Sequence, residues 1–239
     1  MEQETSMCGY IRRVTDNPDV LKLMEKLGLK GFDAPLSDDA VEHYYPAFGG
    51  VASRQIRGLS IRNADGIRSI DATWWFDCEP DGDSLKVGKR TTFNARNLTS
   101  PYWKGALRHH RGVVVATGLG ESKYTDGRKH QYLMTSHKPF LLGALYRPFP
   151  NGLYSCAIIT RDSHPRFDRY HDKAFPLFLP AEKDFIELWL DPAVLSDPVI
   201  DDLLDHPRLY PDLLVTEVKT FKSGVAIGET AVLEADQAP

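Results

Sequence analysis

The sequence predicts an α+β protein with a mainly antiparallel β core and peripheral helices. Three observations lead there. Residues 131–134, 140–146 and 153–160 are β-branched or aromatic runs at close intervals, the spacing of strands joined by short connections. Around them lie segments with an apolar residue every three or four positions, at 17–28, 102–108, 182–190 and 197–204, which is the period of a helix with one buried face. The composition, 42% hydrophobic and 26% charged over 239 residues, is that of a globular chain able to bury a core. No repeat or low-complexity linker interrupts it, so residues 7–239 are expected to form a single domain with an acidic, helical C-terminal part. Residues 1–6 read as a leader or as the product of an alternative start.

Taken in order, Asn17-Pro18 reads as a helix start, a capping side chain followed by the position where proline sacrifices no hydrogen bond. Val20, Met24 and Leu27 then share a face and Gly28 is the stop. A linker bearing Pro and Gly is expected through Gly50. Residues 59–61 and 67–70 read as strands joined by AsnAlaAspGly, with Trp74-Trp75-Phe76 continuing the second. Adjacent residues of a strand face opposite ways, so either one tryptophan is core and the other faces a groove, or both are buried. Residues 78–84 read as an acidic loop whose AspGlyAsp lacks the distal glutamate of a calcium loop. Residues 112–121 form a buried strand whose exit presents Glu121, followed by a hairpin loop at TyrThrAspGlyArgLys. A short helix is expected to carry ArgPheAspArgTyrHis, with strands at 172–180 and 213–221.

Charge is segregated within a net charge of −4. From Lys86 to Arg111 there are seven Lys or Arg and no acid, with Phe93, Tyr102 and Trp103 interleaved; from residue 181 onward thirteen acids face four bases. Cations track phosphates and rings stack on bases, so the first stretch suits a single nucleic-acid strand, although such runs are more often solvated faces. Lys89, Arg90, Arg96, Trp74 and Trp75 are the expected DNA contacts. No apolar run reaches bilayer length and the start is polar and acidic, so no membrane contact and a cytoplasmic location are expected. Three distant cysteines, Cys8, Cys78 and Cys156, suggest neither a disulfide framework nor a zinc site. No metal or organic cofactor is expected.

Four residues carry candidate chemistry. Were Cys8 the amino-terminal residue, its amine and thiol would sit on adjacent carbons, able to condense with an aldehyde and close a thiazolidine; otherwise it is a small hydrophobe. Asn94 shares a face with Arg96 in an extended segment, setting a carboxamide beside a guanidinium that can grip phosphate. Glu121 at the end of a buried strand has a carboxyl suited to proton transfer, unless it lies on a solvated turn. His171 can shuttle protons near neutral pH, or serve as a structural hydrogen-bonding group.

Met7-Cys8-Gly9, Phe93-Asn94-Ala95-Arg96, Gly118-Leu119-Gly120-Glu121 and His171-Asp172-Lys173 ahead of Phe175-Pro176, in that order, resemble the SOS-response-associated peptidase (SRAP) family of abasic-site-processing proteins. The resemblance spans roughly residues 7–180. It implies a barrel-like β core and binding to single-stranded DNA containing abasic sites. Cys8 would trap the ring-opened aldehyde, Asn94 would orient the amine or opened sugar, Glu121 would act as general acid/base, His171 would assist at the sugar oxygen and Arg96 would hold phosphate. The family is also associated with removal of residues ahead of its cysteine by its own site. This chain departs from the pattern in carrying Gly120 and Ser122 where an aromatic and a Trp are common, Tyr10 where Arg is frequent, and one extra residue near His171. Two other readings stay open: a cysteine peptidase acting on itself or other proteins, and a non-catalytic single-strand binder.

Overall fold

The computed structural model describes residues 9–31 and 40–237. The first strand, β1 (Tyr10–Val14), leads into α1 (Pro18–Lys26), where the Asn17 carboxamide accepts the Asp19 N–H and Val20, Met24 and Leu27 are buried as the sequence implies. Next come β2 (Val41–Tyr44), a 3-10 turn at Phe48–Gly50, and the hairpin of β3 (Gln55–Asn63) and β4 (Gly66–Trp74). The expected linker thus contains a strand, held because its residues pair with β1. The acidic loop is also a hairpin, β5 (Cys78–Asp81) with β6 (Ser84–Val87), reversed at Gly82, whose φ of 59° suits glycine.

Then follow β7 (Asn94–Ala95), α2 (Pro101–His109) and the two long strands β8 (Arg111–Thr125) and β9 (Arg128–Pro148). The loop between β8 and β9 is Asp126-Gly127, both at positive φ, the tight turn that matches the twist of a hairpin. The two apolar runs expected at 131–134 and 140–146 are parts of this one strand. β10 (Tyr154–Arg161), the short β11 (Phe175–Pro176) and β12 (Phe178–Leu179), α3 (Lys183–Leu190), α4 (Pro198–Asp205), β13 (Leu213–Val218) and β14 (Ala226–Leu233) complete the chain. The helix expected near ArgPheAspArgTyrHis is instead a run of turns at 165–170.

Among the described residues, twelve strands form one mostly antiparallel sheet. β9 pairs with β8 and β10, β10 runs parallel to β4, β4 pairs with β3, and β3 touches β8 through Ser60 and Val113, so these five close on themselves. Barrel-like describes the result loosely. Side chains alternate across each strand. Val114, Ala116, Leu119 and Ile158 belong to an inner core with Trp74, Trp75 and Phe93, whereas Val113, Val115 and Ile159 face outward against α1, α2, α3 and α4. Arg111, the last of the basic stretch, is buried and donates to the carbonyls of Trp189, Leu107 and Asp191 at 2.5, 2.7 and 2.7 Å. It ties α2 to the segment after α3 and is not available to phosphate.

Candidate active site

Glu121 is four residues from the end of β8, and the strand continues past it, so the carboxyl is presented from within a strand and not at its exit. It is 1% exposed. Alternation puts it on the same side as Leu119, which faces the inner core. His171, 2% exposed, arrives from the turns after β10, its Nδ1 3.6 Å from Glu121 Oε2. The solvated-turn reading of Glu121 is therefore excluded.

The imidazole is oriented by the backbone. Nδ1–H donates to the Ser122 carbonyl at 2.9 Å, which leaves the lone pair on Nε2. Nε2 is buried without a hydrogen-bond partner among the described residues. Burial lowers the pKa of His171 below its ordinary 6.5, and the bond to Ser122 and the charge of Asp172 offset this only in part. The ring is held neutral near pH 7, a state that can accept a proton at Nε2. A carboxyl and a neutral imidazole in contact within a dry environment can carry a proton between two atoms of one substrate.

The site lies where β1 begins. Tyr10 pairs with Gly120, so the chain enters β1 beside the residue that precedes Glu121. Cys8, two residues earlier, lies outside the described residues. Cys78 and Cys156 are buried, and loss of hydration pushes the Cys78 thiol up to about 12 and raises Cys156 as well. Neither is a nucleophile in this state.

Asn94 is 7% exposed on β7 and pairs with Ile158, so it shares the inner side with Ile158 while Ala95 and Ile159 face the helices. Arg96 does not share its setting. The strand ends at Ala95, and Arg96 beyond it meets Asp162 at 3.0 Å. Lys89 and Arg90 are exposed on the loop before β7, with the Arg90 guanidinium 4.6 Å over the Tyr102 ring. Trp74 and Trp75 are 0% and 5% exposed. Trp74 Nε1 donates to the Phe93 carbonyl at 2.8 Å and Trp75 stacks on the Phe93 ring at 5.8 Å, so of the two sequence alternatives both are core and neither offers a face to a base.

Tyr132 and Phe221 went unnoticed in the sequence. Tyr132 is the cross-strand partner of Glu121 and its ring meets Tyr170, next to His171, edge-on at 5.1 Å. A signal for it existed: the turn at Asp126-Gly127 pairs Thr125 with Arg128, and counting back four positions on each side reaches Glu121 and Tyr132. Phe221 had no such signal. Its ring stacks on Tyr10 at 5.0 Å and lies where a side chain at 120 would go, since a Cβ there would meet it at 2.7 Å. The Phe221 ring thus covers Gly120 on the face of β8 opposite Glu121.

The sequence profile of the SOS response associated peptidase (SRAP) family matches residues 7–221. The chain belongs to the SRAP family. Membership supports a DNA-damage-associated, peptidase-like protein. Among curated protein sequences none matches significantly. Solved structures similar to this SRAP chain include a protein from Bordetella bronchiseptica (18% identity, 89% of this chain and 100% of that one, TM-score 0.61) and one from Bacteroides thetaiotaomicron (18%, 89% and 93%, 0.61). A third is a phage-related protein from Bordetella bronchiseptica (22%, 89% and 95%, 0.59). At these identities the likeness concerns the SRAP fold alone. Among the described residues no helix is long and apolar enough to cross a membrane.

Proposed function

We propose that this protein binds single-stranded DNA and captures the aldehyde of an abasic site through Cys8. The amine of an amino-terminal Cys8 adds to the aldehyde carbon, the resulting hydroxyl leaves as water, and the thiol closes on the imine to give a thiazolidine. Glu121 supplies the proton to the departing oxygen and His171 accepts one at Nε2, while Asn94 orients the amine or the opened sugar. Arg96, Lys89 and Arg90 contact phosphates. Hydrolysis of the Met7–Cys8 bond by the same groups would expose the amine.

One observation carries this reading: a buried carboxyl on the strand that pairs with β1 lies 3.6 Å from a neutral imidazole, in a chain matched to the SRAP family from residue 7. The test incubates protein beginning at Cys8 with a uracil-containing single-stranded oligonucleotide treated with uracil glycosylase. A heat-stable adduct is expected, absent in Cys8→Ala and formed about a hundredfold more slowly in Glu121→Gln. No adduct from the wild type rejects capture. Loss of residues 1–7 from the full-length chain by intact mass, without adduct, would then select a peptidase, and DNA binding that survives Cys8→Ala would select a non-catalytic binder.

A further inference from the structure

The segment that follows β14 is bound to the loop that delivers His171. The Asp236 carboxylate receives the Arg166 guanidinium and lies 3.3 Å from His164 Nε2, while Arg166 also donates to the Glu234 carbonyl at 2.7 Å. Asp236 is itself anchored: the Leu209 N–H donates to its carboxylate at 2.6 Å and its own N–H donates back to the Leu209 carbonyl at 2.7 Å. Burial alone would raise this carboxyl, but the hydrogen bonds from Leu209 and Arg166 and the nearby cationic groups outweigh it and lower its pKa.

The grip is passed along the loop. The Phe167 N–H donates to the His164 carbonyl at 2.7 Å, and the His171 N–H donates to the Phe167 carbonyl at 2.9 Å. Phe167 is fully buried with its ring edge-on to Phe175 at 5.1 Å, so its backbone cannot shift without opening the core. On the other side Lys123, two residues beyond Glu121, donates to the Asp168 carbonyl and pairs with Asp172 at 3.4 Å. The loop is clamped between the strand that bears Glu121 and a segment lying past residue 221, where the family match ends.

We propose that residues 234–236 are a strap that sets the position of His171 against Glu121, with Asp236 as the positioning residue. The effect on rate rests on the capture reading above; the effect on the imidazole does not. The experiment makes Asp236→Ala, with Asp236→Asn alongside in case the alanine protein fails to fold. Imidazole NMR of uniformly labelled protein reads His171 first. The wild type should show the Nδ1–H tautomer with a slowly exchanging proton, and both variants should show faster exchange and a tautomer mixture at unchanged global stability to within a few degrees of Tm.

Adduct formation is read second. At saturating oligonucleotide the rate of Asp236→Ala should fall about tenfold or more with half-saturation unchanged, as expected when a proton-transfer group is misplaced. In a His171→Ala background the same change should add less than a twofold loss. An unaltered His171 signal in a folded variant overturns the proposal, as does an equal loss in the His171→Ala background. A wild type that forms no adduct rejects the capture reading, and the NMR signal then decides the strap.

Discussion

His171 shows how one buried side chain couples the site to pH. Its pKa is lowered by burial, so the folded state favours the neutral ring. The stabilisation is complete above pH 6.5 and is lost as pH falls through the window between 6.5 and the lower folded value. Thermal scans from pH 8 to 5 should show Tm flat above 7 and falling below 6.5, with a slope for this group no steeper than about 1.4 kcal/mol per pH unit. His171→Gln should flatten that fall in part, since His110 is also lowered by burial and has the same sign. An undiminished fall in His171→Gln would show that folding does not lower the pKa of this ring. Glu121 was legible as a residue because a β-branched run leads into it. Its burial within a longer strand was not, since that depends on Lys123 to Thr125 finding partners in β9.

Among elements, the β8–β9 hairpin organises the site, and its outer face tests the packing. Gly120→Leu would drive a side chain into the Phe221 ring, a small-to-large change costing about 1–3 kcal/mol. In a Phe221→Ala background the same substitution should cost less than half as much, read from urea midpoints. Additive losses would mean that the ring does not occupy that space. The Asn17-capped helix, the β3–β4 hairpin and the AspGly turn were readable because each is encoded within a few residues by caps, alternation or turn chemistry. β2, the β5–β6 hairpin and β14 were not. β2 exists through its pairing with β1, and β14, mostly exposed along its length, through its pairing with β13.

For the whole molecule, two of the seven cations in the basic stretch are engaged by the protein itself, and Lys86, Lys104 and Arg108 are exposed. Arg111 is consumed by carbonyls, Arg96 is paired with Asp162, and Lys89 and Arg90 remain exposed. If Arg96 holds a phosphate it must exchange Asp162 for it. Arg96→Ala should then weaken binding to every single-stranded sequence alike and reduce the slope of log K against log salt by about 0.7, the value for one phosphate on a single strand. Asp162→Asn should strengthen binding by releasing the guanidinium. Equal slopes for wild type and Arg96→Ala, measured by fluorescence anisotropy across a salt series, would exclude the contact.

By itself the sequence determined the Asn17-capped helix, the β3–β4 hairpin, the AspGly turn, the antiparallel class, and the ordered motifs that place the chain in its family. These follow from interactions between near neighbours in the chain and from residue identity. Only the tertiary structure decided that His171 meets Glu121, that both tryptophans are core, that Arg96 meets Asp162, and that Phe221 fills the space over Gly120. Each of these joins residues far apart in sequence. Contact between them is set by how the strands close and which groups the closure removes from water, a property that no local pattern contains.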